Sequence, residues 1–193
     1  MASLLPAELA WYVTGRFYAA PDGAMADYGY FLHLGPIAPL FTGTPGEASA
    51  HFTFAAQPFT ATPVSNGALQ LGMDAVGDFS VYLQREPAGD FDHPESFARG
   101  ERIATFRRSC VVLGTTVHTA AAAHAPGLIA LNAFTARLVE SVPFTWAGRD
   151  HDLSQILGRG VTQFGTAATA AVPTATRPHD VVLPFSGSAI ALG

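Results

Sequence analysis

The chain has 193 residues and a formal charge of −5, and 49% of its residues are hydrophobic while only 13% are charged. So much apolar material at this length predicts one folded core and excludes an intrinsically disordered chain. The ten cations are all Arg, which excludes Schiff-base enzymes and P-loop proteins because both need a lysine amine. Scattered arginines in an acidic chain argue against nucleic acid as a partner.

The cysteine content and the N-terminal residues indicate in which cellular compartment the protein is expected. Cys110 is the single cysteine, so neither an intrachain disulfide nor a site of several thiolates can form. Met1–Pro6 contains no basic segment followed by an apolar run, and no secretory signal is predicted. The charge-free stretch between Arg108 and Arg137 is interrupted by hydroxyl, imidazole, Pro and Gly groups, which favours buried strands over a membrane helix. We expect a cytoplasmic protein without a membrane partner.

The predicted elements are mostly strands. The 19 Gly and 14 Pro divide the chain into short alternating or apolar runs, which is typical of strands separated by turns. Nine strands are predicted, in chain order Trp11–Tyr18, Tyr28–Leu34, Ser49–Gln57, Ala68–Met73, Phe79–Arg85, Arg102–Leu113, Thr116–Ala123, Leu128–Val139 and Gly160–Ala170. The dipeptides Asp22-Gly23 and Asn66-Gly67 favour tight turns, so neighbouring strands are expected to be antiparallel.

The remaining segments predict helix, loop and strap. Leu4–Val13 and Thr119–Ala125 are candidate short helices, one for its early Pro and the other for its alanine run. Glu86–Gly100 is punctuated by Pro and Gly and predicts the longest loop. Residues 172–193 are expected to lie as a strap across a sheet edge. No linker divides the chain, so residues 1–193 are predicted to form a single domain.

These elements predict an all-β fold with minor α content, namely an antiparallel β-barrel of about eight or nine strands. Closure is favoured because it removes exposed strand edges. A β-sandwich is the alternative. In outline the predicted barrel resembles the calycin and allene oxide cyclase barrels, and this architectural resemblance carries no motif or site residue. A barrel of about eight strands encloses space for one small ligand.

A polar face recurs on two of the predicted strands, because alternate side chains of a strand share a face. The members of this face that we select are His51, Thr53, Gln57, Tyr82 and Gln84. The face either contacts water or lines a cavity in which a His, a hydroxyl and an amide orient an apolar ligand. Alternation alone does not decide between the two.

Roles can be assigned to these residues on the cavity hypothesis. His51 is the predicted acid or base, since imidazole transfers protons near neutral pH. Tyr82 and Gln84 are expected to orient a carbonyl or hydroxyl group, and Arg107 to stabilise negative charge. Arg107 and Arg108 must point in opposite directions, and the less exposed of the two needs a carboxylate or a carbonyl-bearing ligand as its partner.

The predicted ligand-binding set adds an aromatic residue at the end of a strand. Trp146 is expected near the rim of a pocket, where it would contact a ligand. The complete predicted ligand-binding set is Thr53, Gln57, Gln84 and Trp146.

The leading hypothesis is a barrel that binds a small, largely apolar molecule, with isomerase or cyclase as candidate activities. One alternative is a non-catalytic oligomeric interaction protein, in which case a homo-oligomer forms through apolar strands. The second is a metal-dependent enzyme that uses Asp150-His151-Asp152 and Asp92-His93 as ligands. No metal is assigned under the leading hypothesis, and no cofactor is predicted because no Gly-rich segment leads into a helix of a βαβ unit.

Overall fold

The computed structural model describes residues 3–20, 24–66, 69–108, 114–117, 128–129, 132–168, 172 and 181–193. The strands in these ranges are β1 (Leu9–Ala19), β2 (Met25–Leu34), β3 (Phe52–Asn66), β4 (Leu69–Val76), β5 (Asp78–Leu83), β6 (Glu101–Arg108), β7 (Gly114–Val117), β8 (Leu128–Ile129), β9 (Asn132–Ser141), β10 (Phe144–Trp146), β11 (Arg149–His151), β12 (Gly160–Ala167) and β13 (Val181–Ala191). A short helix, α1, spans Leu153–Leu157, and 3-10 turns span Glu47–Ser49 and Pro94–Ala98. No helix in this part of the chain is long and apolar enough to cross a membrane.

Eight of the strands close into one antiparallel barrel. The order around the barrel is β1, β13, β12, β9, β6, β5, β3 and β2, and β2 pairs back with β1. The all-β barrel predicted from the sequence is therefore confirmed, and the sandwich alternative is not the fold. β3 extends beyond the barrel to pair with β4, which pairs with β7. Because every barrel strand is paired on both sides, the barrel itself has no free edge.

The predicted elements near the two ends of the chain differ from the observed ones. The second half of the candidate helix Leu4–Val13 belongs to β1, because Trp11 and Val13 alternate into the core and a strand buries both of them. The segment 172–193, predicted as a strap, contributes β13, which lies between β1 and β12 and completes the barrel.

Several sequence predictions fall on residues outside the described part of the chain. These are the candidate helix Thr119–Ala125, the turn residues Asp22, Gly23 and Gly67, and Cys110.

Aromatic rings fill the centre of the barrel. The Trp11 ring stacks on Phe79 with 5.8 Å between centroids, and it meets Phe31 and Phe106 edge-on. All four side chains are almost fully buried. Trp11 Nε1 donates a hydrogen bond of 2.9 Å to Gln163 Oε1, so the polar atom of the indole is satisfied inside the barrel. The middle of the barrel is therefore packed with side chains.

Two facing glycines bring β1 and β2 close to this core. Gly15 and Gly29 are direct partners across the two strands. A Cβ on Gly29 would lie against the Thr14 carbonyl oxygen, 2.6 Å from Gly15 Cα and 2.8 Å from the tip of the Phe54 ring. Only glycine fits this position without moving the backbone.

The two ends of the barrel differ. At the helix end, α1 packs its buried side chains Leu153, Ile156 and Leu157 against the core. At the opposite end, called the ion-pair end, β2 begins and β6 finishes. Asp27 and Arg108 meet there inside the barrel, with 3.0 Å between Asp27 Oδ2 and Arg108 Nη2. The ion-pair end thus carries charge in a position that strand alternation assigns to the interior.

The loop Glu86–Gly100, called the covering loop, packs on the outside of the barrel. Its Phe97 is fully buried and forms a second apolar cluster with Tyr18 and Tyr28 of β1 and β2. Tyr18 Oη donates a hydrogen bond of 2.9 Å to the Phe91 carbonyl. Burial raises the pKa of Tyr28 to about 12. The covering loop therefore converts one outer face of the barrel into a second, smaller core.

The rest of the described exterior divides into a charged side and a neutral side. On and beside β6, Arg102 pairs with Glu140, and Arg107 pairs with Asp78, each at 3.1 Å. On the outer face of β1, β13, β12 and β9, ten neighbouring described positions carry no charged side chain, and we call these ten positions the neutral panel; Arg16 of β1 and Arg137 of β9 border it. The neutral panel comprises Tyr12, Thr14, Ala133, Thr135, Thr162, Phe164, Thr166, Ser186, Ser188 and Ile190.

Candidate functional site

The polar face of β3 and β5 lies on the outside of the barrel, beneath the covering loop. Thr53 Oγ1 donates a hydrogen bond of 2.6 Å to the Phe97 carbonyl. Gln84 Nε2 donates to the Ser96 carbonyl at 2.9 Å and to Thr53 Oγ1 at 3.2 Å, and Gln84 Oε1 accepts from the Ala88 amide. Both side chains are buried. They fasten the covering loop to the barrel, and they neither contact the barrel interior nor face open solvent.

His51 is part of the same exterior arrangement. Its Nδ1 lies 2.8 Å from the Gln84 carbonyl oxygen, and its Nε2 lies 2.7 Å from Thr42 Oγ1. A carbonyl only accepts, so Nδ1 carries the proton, and in the neutral imidazole Nε2 accepts from the Thr42 hydroxyl. The ring also lies 4.5 Å from the Trp146 ring. Both nitrogens of His51 are thus engaged by the protein.

The other predicted site residues are spread over the surface. Tyr82 is the cross-strand partner of Thr53 and packs partly buried in the outer apolar cluster. Trp146 donates its Nε1 proton to the Pro39 carbonyl at 2.8 Å at the helix end. Gln57 belongs to β3, but its side chain lies outside the described part of the structure.

Arg107 is not brought together with His51. It is exposed and paired with Asp78 at the ion-pair end, whereas His51 lies beside Gln84 at the other end of β5. Six residues of β6 separate the two levels, which corresponds to roughly 20 Å along the strand. The structure assembles four of the predicted residues, His51, Thr53, Tyr82 and Gln84, around the covering loop, and their catalytic and binding roles remain predictions.

Arg108 is the buried member of the arginine pair. Its side chain is 3% exposed, and its guanidinium lies 5.1 Å from the centroid of the Phe134 ring. Asp27 accepts from Arg108 through Oδ2, while Oδ1 has no hydrogen-bond donor among the described residues. The Asp27 side chain is 18% exposed. The carboxylate is therefore the more accessible half of this internal ion pair.

Burial changes the acid–base properties of the pair. Desolvation raises the pKa of Asp27 to about 6, and the attraction and hydrogen bond of Arg108 only partly oppose this rise. Desolvation also lowers the pKa of Arg108, against the opposing effect of Asp27. Arginine still keeps its proton at neutral pH. Asp27 is consequently an ionised carboxylate at pH 7 that is more basic than an exposed aspartate.

Apolar side chains surround the pair at the ion-pair end. Phe17 and Ala56 are the cross-strand partners of Asp27 on β1 and β3. Phe134 lies beneath Arg108, and Ala167 of β12 packs against the core at this end. A carboxylate whose Oδ1 accepts no hydrogen bond from the described residues, set among aromatic and small apolar groups, can hold the polar group of an otherwise apolar molecule.

The two Asp-His segments do not form a metal centre. No group of three or more His, Cys, Asp or Glu side chains within the described ranges could hold a metal ion. His93 Nδ1 pairs with Asp90 at 2.7 Å on the surface, and His151 stacks on Phe144. Burial alone would raise the pKa of Asp152, but hydrogen bonds from Ser141 and Ser154 lower it. Asp152 thereby caps the first turn of α1.

A surface cleft of about 750 Å³ runs along the outer side of β9 beside α1. Arg137 and Arg159 line it, together with Leu138 and Leu192. It contains none of the site residues predicted from the sequence, and it is open to solvent.

Asp27 is absent from the residues predicted from the sequence, although a signal for it exists. Asp27 shares one face of β2 with Met25, Gly29, Phe31 and His33 by alternation, and it is the only acidic residue on that face. On β6, Arg108 shares its face with Phe106. Reading the two faces together makes Asp27 a candidate partner of Arg108.

Comparison of the chain with protein-family models, with curated proteins and with solved structures found no match. The resemblance to calycin and allene oxide cyclase barrels therefore stays a prediction, and the candidate site is defined by its geometry alone.

Proposed function

We propose that this barrel binds a small, largely apolar molecule at the ion-pair end, with isomerisation or cyclisation of that molecule as the candidate activity. The observation that carries the proposal is the Asp27–Arg108 pair inside the barrel. Burying two charges costs several kcal/mol per ion before their attraction is counted, and apolar replacements are often as stable or more so. A perturbed, partly accessible carboxylate of this kind is a marker of functional sites.

The packing of the barrel favours this end over the others. The helix end is filled by α1, and the centre is filled by Trp11 and its neighbouring rings. At the ion-pair end, Asp27 and Phe17 are only partly buried. A ligand there would contact aromatic rings and place a hydrogen-bond donor on Asp27 Oδ1. Isomerisation and cyclisation fit such a site because they need shape and one or two polar groups, and no second reactant.

A blocking substitution tests the location of the site. Ala167 packs inward at the ion-pair end, and its neighbour Thr166 is exposed on the neutral panel. We expect the wild-type protein to bind the apolar probe N-phenyl-1-naphthylamine, Ala167→Trp to lower the affinity at least about tenfold by filling the space, and Thr166→Trp to bind as the wild type does. Titration of the probe by fluorescence measures the affinity, and thermal unfolding checks that both variants fold.

Two results would contradict the proposal. The first is a wild-type protein that does not bind the probe. The second is an equal affinity of the Ala167→Trp and Thr166→Trp variants, which would place the probe elsewhere.

The neutral panel supports a second candidate, a homo-oligomer built on this face. Phe164 is 52% exposed and Tyr12 is 40% exposed among the ten uncharged positions, so two copies could meet there while the bordering Arg16 and Arg137 stay in contact with water. We expect light scattering to report a dimer for the wild-type protein and a monomer for Phe164→Arg. Val142→Arg, at an exposed position outside the panel, is the control that should stay dimeric. A monomeric wild-type protein at micromolar concentration would exclude this candidate.

A further inference from the structure

The proposed ligand site contains a carboxylate that is partly accessible, that of Asp27. Asp27 Oδ2 accepts the hydrogen bond from Arg108, which fixes the orientation of the carboxylate. Oδ1 receives no hydrogen bond from any described residue, and the side chain remains 18% exposed. The guanidinium, by contrast, is 3% exposed and covered by Phe134. Of the two charged groups, the carboxylate is therefore the more accessible to a molecule bound at the ion-pair end.

We infer that Asp27 is a general base that removes a proton from an activated carbon of an apolar substrate bound at the ion-pair end. This inference rests on the proposed function and adds its chemistry and substrate class. The substrate class is a small apolar molecule whose C–H bond lies next to a carbonyl group or a conjugated system. Arg108 is a positioning residue, since it holds the carboxylate and does not reach the substrate.

The reaction balances without a second reactant. The substrate C–H bond breaks, the proton moves to Asp27 Oδ1, and the electron pair of that bond moves into the adjacent carbonyl or conjugated system. Return of the same proton from Asp27 to another carbon of the substrate gives an isomer and restores the carboxylate. No oxidant, reductant or cofactor takes part, in keeping with an isomerase.

The surroundings of Asp27 suit it to this step. A base works best when its pKa lies near the working pH, and the apolar neighbours raise the pKa of Asp27 to about 6. The flanking residues on β1 and β3 are Phe17 and Ala56, which do not titrate. Among the described residues, Arg108 is the charged group that faces Asp27, and arginine stays charged across the relevant pH range. Within the part of the chain that the structure describes, the basicity of this site is consequently governed by the titration of Asp27.

The test uses 5-nitrobenzisoxazole, an apolar compound whose ring opens after a base removes its single activated proton. The C–H electron pair forms the nitrile, the N–O bond breaks, and the released phenolate is measured by absorbance. Because the chain contains no Lys, no lysine amine contributes a background reaction. We expect the wild-type rate to rise with pH through about 6, as the Asp27 carboxylate forms, and Asp27→Asn to lower it by about 10²-fold or more.

A second carboxylate provides the matched control. Asp78 accepts from Arg107 at 3.1 Å much as Asp27 accepts from Arg108, but Asp78 lies on the outer face and is 43% exposed. We expect Asp78→Asn to keep the wild-type rate. Added N-phenyl-1-naphthylamine should slow the wild-type reaction, because the probe and 5-nitrobenzisoxazole compete for the ion-pair end. This measurement tests the location of the reaction even if the Asp27→Asn variant does not fold.

The outcomes separate the inference from the proposed function. Probe binding without any acceleration of ring opening would overturn the general base and leave the binding site standing. Ring opening that is unchanged in folded Asp27→Asn, or that the probe does not inhibit, would also overturn it. A wild-type protein that does not bind the probe would instead overturn the proposed function.

Discussion

Replacing Asp27 with Ala is expected to lower the free energy of unfolding by about 3–5 kcal/mol, the usual cost of leaving a buried charge without its partner. The Arg108 side chain, 3% exposed, would then keep its positive charge but lose the ion pair with Asp27. Replacing both residues with apolar side chains, Asp27→Leu with Arg108→Met, should recover most of this loss, because neither charge then needs to leave water. Urea unfolding at neutral pH measures the free energy of unfolding of the wild type, of Asp27→Ala and of the double variant.

The pH dependence of the free energy of unfolding, measured on the same variants, checks that folding raises the pKa of Asp27. The folded-state pKa of Asp27, about 6, lies above the ordinary value of 3.8, so the folded protein binds this proton more tightly than the unfolded chain does. The stability that this group contributes is present below about pH 4 and is lost as the pH rises through 6. The double apolar variant should lack this loss. A wild-type protein that gains stability relative to the double variant over this interval would contradict the raised pKa.

Replacing Gly29 with Ala is expected to cost about 3 kcal/mol or more, at the upper end of what overpacking does in a core. The added Cβ meets backbone atoms of Thr14 and Gly15, which cannot move without separating β1 from β2. Urea unfolding measures the effect. Gly46→Ala is the control. The backbone of Gly46 is extended, and the atom nearest to an added Cβ would be Ser49 Oγ at 3.9 Å, an ordinary contact distance.

A double-mutant cycle with Phe54 distinguishes two causes of this cost. The tip of the Phe54 ring would also lie 2.8 Å from the added Cβ. If the backbone contacts dominate, Phe54→Ala will not rescue Gly29→Ala, and the coupling between the two changes will be small. Full rescue would show that the ring alone requires the glycine.

Alternation along the chain predicts much of the fold, because each barrel strand must turn one face toward the core. Phe79, Val81 and Leu83 of β5 are all buried, as a strand with one apolar face requires. β13 escapes prediction because Pro184 and Gly187 interrupt it, and both are residues that weaken a strand prediction. The helix α1 escapes because it spans only Leu153–Leu157, too short for helical periodicity.

The candidate site is harder to predict from the sequence than the fold, for two physical reasons. Alternation groups Thr53 with the other polar residues correctly, but it does not reveal that a loop covers them, in which Phe97 lies 44 residues further along the chain. Alternation also requires Arg107 and Arg108 to point apart without saying which one enters the core. That choice depends on Asp27, which lies 81 residues away in sequence and meets Arg108 only after the barrel closes.

The neutral panel has a consequence for how this barrel responds to salt. At physiological ionic strength the field of an exposed charge falls off over about 8 Å. The exposed Arg137 lies on β9 four residues beyond Ala133, the cross-strand partner of Phe164, which corresponds to roughly 13 Å along the strand. Added salt therefore progressively screens the attraction or repulsion between a charged partner and the ion pairs beside β6. A contact centred on Phe164 has only a small component of this kind, so its strength should change less with added salt than that of attractive contacts beside β6, which should weaken.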